Sequence, residues 1–243
     1  MHSLATNIRN NTTHSLLTIA LPLAAMLFAA RTANTQQLQK GISVEMPVTS
    51  SAAPMPEADD EDAWVVAVTP DGSVFFGTDK VSPSELADNM KSRPRRHDQK
   101  FYIKADARAP FADVRSVLTA AHDGAFNEAA FNSVVLLTSQ TEPASPGTVV
   151  PPKGLEVQIG PHSNAATVIV QVNAELPSPT FEVNDQKIPA AALSDALRRL
   201  LQNRSDTPVL VKTHGPVLFA PVAQAIDACR SIGAKVMLST PEL

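Results

Sequence analysis

Residues 100–139 (KFYIKADARAPFADVRSVLTAAHDGAFNEAAFNSVVLLTS) constrain the fold more than any other stretch of the chain. Phe101 and Ile103 open it with a period-2 alternation, which predicts a half-buried strand. The segment Ala-Asp-Ala-Arg-Ala-Pro then breaks the pattern. Phe111, Val114, Val117, Leu118 and Ala121 recur at helical spacing, and the apolar run Val134, Val135, Leu136 and Leu137 predicts a buried strand. Strand, turn carrying Asp106, amphipathic helix and strand make a β-α-β unit.

A similar pattern returns near the C-terminus. Residues 208–214 (PVLVKTH) parallel the strand at Phe101, with Lys212 falling where Lys104 falls and His214 where Asp106 falls. Phe219 and Val222 match Phe111 and Val114 at one constant offset, and Val236, Met237 and Leu238 close the pattern. Upstream, Trp64, Val66 and Val68 predict a strand with apolar neighbours on both faces. It returns at Val74, Phe75 and Phe76 through the turn residues 69–73 (TPDGS). Val168, Val170 and Val172, with Phe181 and Val183, repeat that hairpin. Residues 81–86 (VSPSEL) predict a helix start: Ser82 as N-cap, Pro83 in the first turn, Glu85 at the capping-box distance, and Leu86 and Met90 facing inward. In residues 188–193 (IPAAAL), Leu193 takes the place of Leu86.

The expected fold class is therefore α+β, with two tandem β-β-α-β-α-β modules at 64–140 and 154–243 and a Pro-rich linker at 141–153. Residues 154–159 (GLEVQI) also echo 41–46 (GISVEM). A module of about 80 residues leaves a sheet face or edge to cover. Tethering two of them raises their concentration for each other. An intrachain pseudo-dimer is expected, or else a homo-oligomer.

The N-terminal region reads differently. Residues 16–30 (LLTIALPLAAMLFAA) carry no charge, and Leu16, Leu17, Ile19, Leu21, Leu23, Leu27 and Phe28 make them apolar. The run is about 15 residues, against the ~20 that cross hydrocarbon directly. Length fits a signal-peptide core with Arg9 in its n-region, but no small-x-small cleavage pair follows, since Arg31 precedes Ala33 by two. A snorkelling Arg31 extends the reach of a single transmembrane helix. The expected division is an anchor at 1–33 and a disordered acidic, Pro-containing spacer at 34–63, because residues 50–62 hold almost no large apolar side chain. Anchor or cleaved signal, both direct the rest of the chain out of the cytoplasm.

Composition narrows the function classes. A net charge of −4 asks for no nucleic acid. One cysteine, Cys229, forms no intrachain disulfide and sits at an apolar helical position, as a small buried hydrophobe does. His97, His122, His162 and His214 lack ligand spacing, and the spacer carboxylates lack a fixed geometry. A P-loop, a dinucleotide fingerprint and a nucleophile elbow are absent from the sequence. No catalytic residue, metal or cofactor is expected.

One apolar N-terminal run, a strand ending in Pro47, then a β-β-α-β-α-β module: this order resembles the ExbD/TolR family of biopolymer transport proteins. Residues 44–47 (VEMP) resemble its juxtamembrane segment, 71–76 (DGSVFF) its first hairpin, 81–86 its first helix start, and 101–106 (FYIKAD) its strand ending in Ala-Asp. The resemblance covers residues 8–138 once and 154–240 again more faintly. It implies a non-enzymatic, single-pass component of a bacterial inner-membrane energy-transduction complex, with its modules in the periplasm. It also implies a polytopic ExbB/TolQ-like partner and an energy-transducing periplasmic protein. In the family a carboxylate within the span handles protons. Residues 16–30 contain no Asp or Glu, and His14 lies at the interface, so no proton-handling residue carries over and an accessory role is implied. The alternative is an exported periplasmic binding or scaffold protein with a cleaved signal.

Two positions remain as site candidates. Asp106 either helps receive a partner strand or caps the turn and helix that follow it. His214, at its counterpart, implies that the role is not needed twice. Lys104 and Lys212 read as the solvated face of their strands.

Overall fold

The computed structural model describes residues 41–92, 100–123, 133–140, 151–160, 168–175, 178–202 and 207–239. Contacts divide the chain into Met1–Gln37, outside the described residues, and Leu38–Leu243, which contains all of them. The apolar run at 16–30, His14, His97, His162 and most of the 141–153 linker also lie outside the described residues. Among the described residues, no helix is long and apolar enough to cross a membrane.

Alternation of apolar residues produces the expected strands β3 (Trp64–Val68), β4 (Val74–Phe76) and β6 (Phe101–Ala105), and the apolar run produces β7 (Ser133–Gln140). Helices α1 (Pro83–Lys91) and α2 (Phe111–Asp123) lie between them. The capping box forms as its residues dictate: Ser82 Oγ accepts from Glu85 N, while Glu85 Oε2 accepts from Ser82 N at 3.0 Å. A short strand not expected from the sequence, β5 (Asp79–Val81), adds a third leg to the meander. Three residues with no apolar periodicity give no strand signal; pairing to β4 alone makes them extended.

The second part of the unit has β9 (Val168–Asn173), β10 (Thr180–Val183), β11 (Gln186–Ile188), α3 (Leu193–Leu201), β12 (Val209–His214), α4 (Phe219–Arg230) and β13 (Val236–Ser239). Asn184 and Asp185, at φ 48° and 68°, form the two-residue turn between β10 and β11. β8 (Lys153–Gly160) lies between β7, its antiparallel partner from Ser133↔Gln158 to Thr138↔Lys153, and β13, its parallel partner. One sheet thus runs β11-β10-β9-β12-β13-β8-β7-β6-β3-β4-β5. The α+β expectation is met as a mixed α/β fold: β6-α2-β7 and β12-α4-β13 are parallel crossovers, flanked by antiparallel meanders. β8 differs from its sequence echo at 41–46, which forms no strand.

The helices pack on one face. Val66, Phe76, Leu86, Met90, Ile103, Val114 and Leu118 share a continuous buried core with Val170, Phe181, Leu193, Leu197, Val211, Val222 and Ile226. Each large aliphatic or aromatic side chain contributes about 1.5–3 kcal/mol by leaving water. At the seam, the first-turn N–H groups of α2 and α4 have no helical acceptor. Each finds one in the other part: Phe111 N donates to Val217 O at 2.8 Å, and Phe219 N to Ala109 O at 2.9 Å. Pro110 and Leu218 form an antiparallel bridge between these loops.

Three expectations fail on the opposite face. Residues 50–62 are not disordered: β1 (Val48–Thr49) pairs with the end of β7, β2 (Ala53–Pro54) pairs with β8, and Pro56–Asp59 form a 3-10 turn. The strand expected over 41–47, ending in Pro47, is likewise displaced to Val48–Thr49. Val44, Met46, Met55, Ala58 and Ala63 then bury a second cluster with Val65, Tyr102, Val135 and Leu137. Because this cover lies over β6, that strand is buried throughout and Lys104 is 2% exposed rather than solvated. Low hydrophobicity predicted disorder, yet a valine, two methionines and two alanines suffice where a preformed sheet supplies the rest of the surface and the hydrogen bonds. Lys212, on the uncovered part, is half-buried.

Candidate functional site

The segment 44–63 is a strap, and two carboxylates hold it. The first is Asp106, where β6 ends. Its N–H extends the ladder to Val68 O at 2.8 Å, and its C=O accepts from Ala109 N at 2.9 Å, so the backbone turns away from the sheet there. The carboxylate is buried at 2% exposure. Oδ1 accepts from Arg108 N at 3.0 Å and Arg108 Nε at 2.9 Å; Oδ2 accepts from Arg108 Nη2 at 3.1 Å and from Glu45 N at 3.0 Å. Glu45 O in turn accepts from Ala107 N at 2.7 Å, and Glu45 Oε2 lies 3.5 Å from Arg108 Nη2. The strap is gripped through both backbone groups of one residue. Burial pushes the Asp106 carboxyl up, but the Arg108 and Glu45 hydrogen bonds and the guanidinium charge outweigh it and hold the group below the usual carboxylate value. Asp106 therefore closes the turn and clamps the strap; the first N–H of α2 goes to Val217 instead.

Beyond Asp106 the strap is fastened in order along its length. Ser139 N donates to Pro47 O at 2.9 Å, and the buried hydroxyls of Thr49 and Thr138 meet at 2.7 Å. The second carboxylate, Asp227 on α4, then takes the strap's bend. It accepts from Ser50 N at 3.0 Å, Ser50 Oγ at 2.9 Å and Ser51 N at 2.8 Å, and from the Ser51 hydroxyl, which also reaches Asp227 O at 2.8 Å. Burial pushes the Asp227 carboxyl up, and these donors overcome it and hold it below the ordinary value. Met55 N donates to Pro152 O at 2.6 Å.

Under the strap, burial lowers the Lys104 ammonium to about 8, although the Asp59 charge on the 3-10 turn opposes the shift. Of the carboxylates at residues 57–62, Asp59 thus acts on a buried cation.

His214 is not brought to this site. It ends β12 on the surface, where its carbonyl accepts from Ala174 N at 3.1 Å and Gly215 turns the chain at φ 79°. Cys229 is buried in α4, and burial pushes its thiol up to about 12. Among the described residues, no three His, Cys, Asp or Glu side chains converge as metal ligands. Sequence reasoning singled out Asp106 but missed Glu45, Arg108, Ser50, Ser51 and Asp227. The Asp227 contacts link positions more than 170 residues apart, and a lone Asp on an amphipathic helix carries no sign of them.

The family model described as biopolymer transport protein ExbD/TolR matches residues 12–140. No curated protein matches the chain.

Proposed function

Because the chain belongs to the biopolymer transport protein ExbD/TolR family, we propose that it is a single-pass, membrane-anchored component of an inner-membrane energy-transduction complex. Residues 16–30 anchor it and the folded unit lies in the periplasm. The family is one of non-enzymatic transport components. The observation that carries the anchor is the extent of the match: it starts at residue 12, so it takes in the apolar run as well as the first half of the sheet. The partner is a polytopic ExbB/TolQ-like membrane protein. The span has no carboxylate to move a proton, so the role is accessory: the chain transmits or couples rather than conducts.

The second half of the sheet is a diverged copy of the first, and the two form an intrachain pseudo-dimer. Supporting this, the element order β-β-β-α-β-α-β occurs in both halves, and the hydrogen bonds Phe111 N to Val217 O and Phe219 N to Ala109 O exchange donors and acceptors between matched positions. Such reciprocity characterises an isologous interface.

Fractionation of a C-terminally tagged chain with intact-mass analysis tests the anchor. Full-length mass in a carbonate-resistant membrane pellet, with a polytopic protein co-purifying, is expected. A shortened soluble species starting near Asn34 would replace the anchor by a cleaved signal and leave a periplasmic binding or scaffold protein. The shortness of the apolar run favours that second reading.

A further inference from the structure

The strap's fastenings differ in kind from the packing beneath it. From residues 44–63 only the partly buried Ala52 packs against the helix-side core. The strap contributes Val44, Met46, Met55, Ala58 and Ala63, two of them alanines, to a separate cluster on the other face. Its bonds to Asp227 come from Ser50, which is exposed, and Ser51, which is half-buried, so this fastening lies at the surface, unlike the buried clamp at Asp106. The strap's five buried side chains are a small share of the unit's buried core, so it can open locally, below the free energy of global unfolding.

We propose that residues 44–63 are a latched cover over the face of β3, β6 and β7 that carries Lys104, held shut by Asp227 from the other half of the sheet. The latch lies across the seam: the covered strands belong to one half and the holding carboxylate to α4 of the other. A rearrangement at the seam that shifts α4 therefore releases a cover on strands that α4 does not pair with. The order of attachment also sets the order of release. Along the strap from Gly41, the Asp106 clamp at Glu45 comes first and the Asp227 latch second. Opening uncovers Val65, Tyr102, Val135 and Leu137 on the face that carries Lys104, an apolar surface with a cation on it. The strap itself shows what such a surface holds: a segment bearing valine, methionine and alanine side chains and a carboxylate. This inference stands independently of the membrane reading, since it concerns only residues within the folded unit.

Two chemical reporters on the full chain test it. Lys104, under the strap, is followed by amine acylation, with exposed Lys80 as the reference, and Cys229, in the helix-side core, by thiol alkylation, both located by peptide mass spectrometry. In the unaltered protein both react far more slowly than exposed groups. Asp227→Ala is expected to raise Lys104 acylation at least tenfold with Cys229 still protected. The Ser50→Ala/Ser51→Ala variant, which leaves α4 unaltered, is expected to raise it at least threefold in the same selective way. Unchanged Lys104 reactivity in either variant overturns the latch. Cys229 rising in step with Lys104 in the serine variant overturns the claim that the cover opens separately from the core.

Discussion

Replacing Asp106 by Asn keeps the shape of the side chain and removes its charge. A cap at an exposed turn loses at most ~2 kcal/mol on such a change. The structure calls for more. Four donors converge on the two oxygens, and the side chain is 2% exposed. An asparagine offers one acceptor oxygen to them, and its amide N–H groups face donors. If its oxygen stays with Arg108 N and Nε, the part-buried Glu45 N loses its acceptor, which costs about 1–3 kcal/mol. The two bonds to the Arg108 guanidinium weaken as well, but that side chain is 61% exposed and is partly repaid by water. The sum is about 2–4 kcal/mol at neutral pH. Its pH dependence has a definite sign. The folded carboxyl titrates below its unfolded value of about 3.9, so its contribution is complete above that value and is lost as pH falls through the folded one. Urea unfolding of both proteins at pH 7 and at pH 3, at fixed ionic strength, measures it. A difference at pH 7 that shrinks at pH 3 is expected. A loss below about 0.5 kcal/mol at pH 7, or one of equal size at both pH values, would refute the account of Asp106 as a charged hub.

Three further outcomes are expected. Ser82→Ala removes the acceptor for Glu85 N and lowers stability by about 1 kcal/mol, read as a fall in melting temperature; an unchanged melting temperature contradicts the capping box. Thr49→Val and Thr138→Val each strand one buried hydroxyl and cost about 1–3 kcal/mol, whereas the double change removes both and is nearly neutral. Additive losses in that double-mutant cycle would mean that the two hydroxyls do not depend on each other. Cleavage at a protease site inserted between Gln140 and Pro151 should leave two fragments that co-elute on size exclusion. The antiparallel β7–β8 pairing and the reciprocal bonds at Phe111 and Phe219 hold them together; separate elution of the fragments excludes a single sheet.

Local sequence determined the elements that hydrophobic periodicity and capping chemistry specify. Ser82-Pro83-Ser84-Glu85 could only begin a helix, and the alternation around Trp64, Phe101 and Val168 could only make strands with at least one buried face. The family resemblance, carried by the same stretches, was legible for the same reason. Tertiary structure decided what depends on contacts between distant residues. Lys104 and Lys212 occupy matched strand positions, but only Lys104 is buried, because the strap lies over one half of the sheet. The acidic tract at 57–62 has the composition of a disordered spacer, but Met55, Ala58 and Ala63 before, within and after it find a ready surface on β3, β6 and β7. Asp106 announced itself by standing at the end of a strand. Asp227 could not, because its partners Ser50 and Ser51 come next to it only when β7 and β8 pair and bring α4 across the seam. Periodicity is written within a few turns of chain, whereas the strap's hold is a property of which two halves meet.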